Sequence, residues 1–95
     1  KELVPGIHGQ YVHGDKASLG WVTLKAGTIM PMHHHPHEQI TCILDGEMEM
    51  EIGGVQMLMT PGMIQVIPSK TPHSAKVIKD SIVIVVFSPV REEYK

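Results

Sequence analysis

The chain has 95 residues and a formal net charge of −2, with a pI near 6.4, which fits one domain spanning 1–95. That charge balance gives no electrostatic case for nucleic acid. The longest apolar run, residues 82–87, is far too short to span a bilayer.

Helix periodicity is absent along the chain, and strand patterns recur throughout. Residues 1–6 and 91–95 read as peripheral, and His8 and His13 as exposed or interfacial. Residues 19–25 are rich in strand formers, and 40–44 form a short β-prone run. Residues 47–52 read E-M-E-M-E-I, which turns Met48, Met50 and Ile52 toward a core and the three glutamates toward water. Strands are also expected over 55–60, 63–67, 74–78 and 81–88, the last apolar without alternation, as in a strand covered on both faces. Asp45-Gly46 and Gly53-Gly54 are two-residue hairpin signals, Pro61-Gly62 marks another turn, and 68–72 reads as a rigid bend. Many short strands with frequent turns indicate an antiparallel sandwich or barrel. The methionine pairs Met30/Met32, Met48/Met50 and Met57/Met59 have the spacing of shared strand faces and read as soft core filling. Cys42, the single cysteine, excludes an internal disulfide framework and fits a reducing cytoplasm. It reads as a small core residue. The chain opens at Lys1 without a methionine, so an upstream piece is expected.

Four of the seven histidines crowd into His33-His34-His35-Pro36-His37, followed by Glu38-Gln39 and answered downstream by a lone His73. Strand alternation would point His33 and His35 one way and His34 the other. With Gln39 and His73 folding in beside them, the pair would make a compact four-ligand pocket for one metal ion. His34 is then a surface or dimer-contact residue, and His37 a supporting group or alternative ligand. Glu38 should point to the opposite face from Gln39, and Lys70 reads as a solvated loop charge.

These residues resemble the cupin superfamily. Its first motif runs Gly, five residues, His-x-His, three or four residues, Glu, six residues, Gly. Here it becomes Gly27, His33, His35, Gln39 in place of Glu, and Gly46. The second motif falls on Gly62, Pro68, Lys70 in place of Gly, His73, and Val77 in place of Asn. The resemblance implies an all-β double-stranded β-helix, or small jelly-roll barrel, and a homodimer. It implies one divalent ion of Ni, Zn, Fe, Mn, Co or Cu, held by His33, His35, Gln39 and His73. A narrower resemblance is to small cupins of pectin and alginate breakdown, which open unsaturated uronate rings into linear keto-sugar acids. They end in a segment similar to Phe87-Ser88-Pro89-Val90-Arg91-Glu92-Glu93-Tyr94, in which the Phe and Arg position substrate. An Asp acts two residues before that Phe, where this chain has Val85.

Three neutral imidazoles and an amide leave the full charge of a divalent ion uncompensated, which favours an anionic substrate. The expected function is Lewis-acid isomerisation or ring opening of a sugar acid or similar small oxygenated acid, with Arg91 and Phe87 positioning it. A metal-dependent dioxygenase and a non-catalytic small-molecule-binding or sensory cupin are the alternatives.

Overall fold

Two long antiparallel strands organise the molecule, a computed structural model that describes residues 2–95, Glu2 and Leu3 by backbone alone. They are β5 (Glu38–Ile52) and β8 (His73–Ser88). Around them lie β1 (Glu2–Val4), β2 (Ile7–His13), β3 (Ser18–Leu24), β4 (Ile29–His33), β6 (Val55–Met59) and β7 (Ile64–Ile67). The first half of β5 pairs with β7 and its second half with β6. The second half of β8 pairs with β3 and its start with β4. Each long strand thus serves two walls, β1-β2-β3-β8-β5-β7 and β4-β8-β5-β6, and the molecule is an all-β jelly-roll barrel.

Gly53 and Gly54 adopt φ of 56° and 84° between Ile52 and Val55, which face each other across the β5–β6 hairpin. Asp45-Gly46 corrects its expected role. It forms no hairpin, and 40–44 and 47–52 are parts of one strand whose register slips around Asp45. Gly46 is at φ 95°, and a Cβ there would collide with the Ser81 side chain and the Asp80 carbonyl. Glycine is needed for this close backbone approach within a bulge. Ser81 Oγ accepts the Glu47 N–H at 3.1 Å and donates to the Lys79 carbonyl at 2.7 Å, which satisfies backbone groups at the irregularity. On the facing strand, 74–78 and 81–88 likewise merge into β8.

The core is built from Ile7, Val22, Leu24, Ile43, Met48, Met50, Met59, Ile67, Val77, Val83, Val85 and Phe87, all buried. Within 1–6, read as peripheral, Val4 packs half-buried against this core, and Ile7 just beyond is fully buried. The ring of Tyr11 lies across Gly9 and Gly20, where a Cβ at either position would strike it. Cys42 is half-buried rather than core, because alternation along β5 turns Thr41 and Ile43 inward. Only one face of β8 is fully covered, with Val83, Val85 and Phe87 buried and Ile82, Ile84 and Val86 half-buried. Met30 and Met32 do not share an environment. Met30 is half-buried and Met32 exposed, and the register shifts between Met30 and His33. A 3-10 turn, Glu92–Tyr94, closes the chain. Among the described residues no helix is long and apolar enough to cross a membrane.

Candidate metal centre

His33 ends β4 and pairs in register with His73, which begins β8. His35 lies past the end of β4, so the alternation expected from the sequence does not place it. The loop 68–72 holds that segment instead: Lys70 donates its backbone N–H to the His35 carbonyl at 2.8 Å, and Ser69 Oγ donates to the Pro36 carbonyl at 2.6 Å. One ring nitrogen from each of His33, His35 and His73 then falls within 4.8 Å of the others. The ring centroids of His73 are 4.2 Å from His33 and 5.0 Å from His35.

In each ring Nδ1 faces a backbone carbonyl. His33 bonds Pro31 at 2.8 Å, His35 bonds His37 at 2.9 Å and His73 bonds Thr71 at 2.8 Å. Donation from Nδ1–H fixes a tautomer whose Nε2 carries the free lone pair, the form that binds a metal. His73 Nε2 is buried with no hydrogen-bond partner among the described residues, a position that needs an explanation. His35 Nε2 sits 3.1 Å from Gln39 Oε1, while Gln39 Nε2 donates to Thr41 Oγ1 at 2.9 Å. With Nδ1–H committed and the ring neutral, two lone pairs face each other there, an arrangement that a cation between them would stabilise. Burial, followed by the Arg91 charge, holds the His35 pKa below the usual imidazole value. Burial does the same for His73, against an opposing bond to Thr71 and with help from His33 and His35. The residues present therefore fit a divalent ion, and three imidazoles with an amide oxygen suit Zn, Cu, Ni or Fe.

Arg91 lines one cavity with His33 and His35, which corrects the reading of 91–95 as peripheral. It is 9% exposed, and its guanidinium carbon lies 4.5 Å from the Phe87 ring centroid and 4.3 Å from that of Tyr94. Its Nε donates to Glu93 Oε1 at 2.6 Å, a bond that lowers the pKa of the Glu93 carboxyl. Phe87 also packs its ring 5.8 Å from His35, which links the arginine clamp to the imidazoles. Tyr94 stacks 4.6 Å from Tyr11. Burial first, then Tyr94, raises the Tyr11 pKa and keeps its phenol protonated. Sequence reasoning missed both tyrosines; the inward period of Ile7, Gly9 and Tyr11 was the available signal.

His37 is buried but stands outside the three-histidine group, with Nε2 4.0 Å from Glu93 Oε1. Its Nδ1 has no hydrogen-bond partner among the described residues. His34, Glu38, Lys70 and His8 are exposed. His13 is half-buried, 2.8 Å from Ser18 Oγ and 3.2 Å from the Tyr94 carbonyl. His33, His35, Gln39, Phe87 and Arg91 line one cavity of about 90 Å³, whose wall includes Val85. A wider groove of about 530 Å³ lies over Glu49, Gln56 and Leu58 and contains none of these histidines. The convergent polar groups single out the smaller cavity.

The family model described as the cupin domain matches residues 20–88. The structure of KdgF from Halomonas sp. is similar at 31% identity and a TM-score of 0.94, covering 100% of this chain and 89% of that one. An RmlC-like cupin from Shewanella frigidimarina NCIMB 400 shares the fold at 24% identity and a TM-score of 0.94, over 100% of this chain and 86% of that one. A salicylate 1,2-dioxygenase variant from Pseudoaminobacter salicylatoxidans shares it at 19% identity and a TM-score of 0.83, over 93% of this chain and 28% of the other. No curated protein matches the chain. With its barrel, its paired motif histidines and a family match over most of its length, the chain belongs to the cupin family.

Proposed function

We propose that this cupin holds one divalent transition metal through His33, His35, Gln39 and His73 and acts on a small oxygenated acid, with sugar acids in that class. The observation that carries this reading is the convergence of three imidazoles, each tied at Nδ1 to a carbonyl, beside a fixed guanidinium. The ion, when bound, supplies Lewis-acid polarisation of a carbonyl or hydroxyl. Arg91, held by Glu93 and packed against Phe87, orients the substrate carboxylate. Isomerisation, ring opening or tautomerisation then needs a proton carrier. Val85 offers none, and we assign that role to His37, whose buried Nδ1 has no hydrogen-bond partner among the described residues.

The resemblance of the 87–94 segment to the uronate-opening branch supports the sugar-acid version. The test is elemental analysis of the isolated protein, followed by incubation with unsaturated uronates while their near-UV absorbance is followed. An unchanged spectrum with fully metallated protein overturns the uronate version. Val85 favours a second reading, in which the cupin binds its acid without turning it over. Saturable binding with no product separates the two.

A homodimer is also part of this proposal. Register places Trp21, Ile84, Cys42 and Ile64 in one row across the outer face, and Leu19, Val86, Ile40 and Val66 in the next. Contiguous apolar surface of this kind marks an interaction site, and a second copy would cover it.

A further inference from the structure

The cavity beneath the histidines is divided by polarity. Its polar lining is His33, His35, Gln39, Thr41, Tyr11 and Arg91. Gln39 Nε2 donates to Thr41 Oγ1, and Arg91 Nε is bonded to Glu93. The lining turns apolar from Val85, the register partner of Thr41, to Val83, Val22, Leu24, Met48 and Met50, every one of them buried. The volume is about 90 Å³, against roughly 150 Å³ for an apolar protein cavity known to hold benzene. A six-membered ring is therefore too large for the inner space, whereas a short unbranched chain fits.

Polarity points the same way as size. A ligand hydroxyl pressed against those valines and methionines would lose its water and gain no partner, a loss of roughly 5- to 150-fold in affinity. A methylene at the same place gains about fourfold. We infer that the preferred ligand is a small carboxylic acid with a short unbranched alkyl tail, its oxygenated head among the three histidines and Arg91 and its tail in the methionine- and valine-lined end. This rests on the metal-and-arginine site proposed above and selects within its substrate class, against polyhydroxylated acids.

The experiment is calorimetric titration of zinc-loaded protein, its zinc content measured first, with pyruvate, 2-oxobutanoate, 2-oxopentanoate, 2-oxohexanoate and D-galacturonate. Affinity should rise about fourfold per added methylene until the cavity is full and then fall, with galacturonate weaker than the best oxo acid. Equal affinity along the series, or galacturonate binding tightest, overturns the inference and leaves the metal-and-arginine reading intact. Failure of every acid to bind protein shown to hold zinc overturns both. Ala75 also lines the cavity, so Ala75→Val should move the optimum to a shorter chain; an unmoved optimum counts against the inference. If that variant does not fold, Val85→Thr changes polarity at nearly constant shape. It should weaken the best-fitting acid severalfold and leave pyruvate unchanged, and equal effects on both would overturn the inference.

Discussion

Ser18 Oγ accepts the backbone N–H of Arg91 at 2.9 Å across 73 positions of sequence, tying the carboxy-terminal segment to β3 at the cavity. The same oxygen lies 2.8 Å from His13 Nδ1, whose ring reaches the Tyr94 carbonyl through Nε2 at 3.2 Å. Donation from Nε2–H leaves Nδ1 to accept the serine hydroxyl, so one buried side chain serves both partners.

Ser18→Ala should therefore lower stability by about 1–3 kcal/mol, the cost of stranding a buried N–H. Urea unfolding measures the loss. The affinity of the metal-loaded protein for 2-oxo acids should fall as well, because Arg91 loses its anchor. Unchanged stability and affinity would remove Ser18 from any role in holding the turn.

Gln39→Glu tests the charge of the ligand set. A carboxylate cancels one unit of the ion's charge where the amide cancels none, so metal binding should tighten by at least about tenfold. The same neutralisation should weaken binding of an anionic ligand. Competition against a chromophoric chelator reads the first effect and calorimetry the second. Gln39→Ala should loosen the metal, and His35→Ala or His73→Ala should loosen it further, because each removes an imidazole lone pair.

The site was more legible than the path that builds it. His33 and His73 stand at the spacing of the family motifs, and the Gly53-Gly54 turn uses glycine as turn chemistry requires. Asp45-Gly46 has the same composition as a hairpin turn but serves a bulge, because Ser81 and Asp80 crowd it from a strand 35 residues away in sequence. No local pattern reveals that neighbour. β2 escaped notice because Gly9 interrupts its apolar alternation, and the space left by Gly9 and Gly20 is taken by the Tyr11 ring. Burial of Arg91 was hidden for a similar reason, since its cover comes from Phe87, Tyr94 and Ser18.

Two of the three imidazoles should resist acid longer than an exposed one. His35 and His73 have pKa values held below 6.5 by burial, so both remain neutral through neutral pH and an incoming ion displaces no proton from either. The share of the affinity that His35 and His73 supply should be flat from about pH 8 to 6.5 and fall only as those two rings take up protons at lower pH. Metal-free protein carries the matching stability effect. An unfolded imidazole binds its proton near pH 6.5 and the folded one at lower pH, so the stabilising contribution is complete above about 6.5 and is lost as pH falls through the folded values. Chelator competition and thermal unfolding across pH 5–8 check both statements. A metal affinity that declines already between pH 8 and 7 would contradict them.

Ile64 and Val66 project from β7, 61% and 50% exposed, in the same apolar rows as Trp21 and Leu19 at 44% and 46%. β7 pairs with β5 alone, so this apolar stripe sits at a sheet edge, where unprotected strands invite association. In a two-fold dimer any patch meets its own copy, and a single substitution is introduced twice. Ile64→Glu would set two carboxylates in or near a desolvated contact, and burying unpaired charges there is costly. Wild-type protein should sediment as a dimer and Ile64→Glu as a monomer, with equal metal content because Ile64 is remote from the three histidines. Thr23→Glu, on the same β3 face but not an apolar position, should weaken the dimer less. Wild-type protein that sediments as a monomer at high micromolar concentration would exclude the dimer, and loss of metal along with the dimer would show that the two sites are coupled.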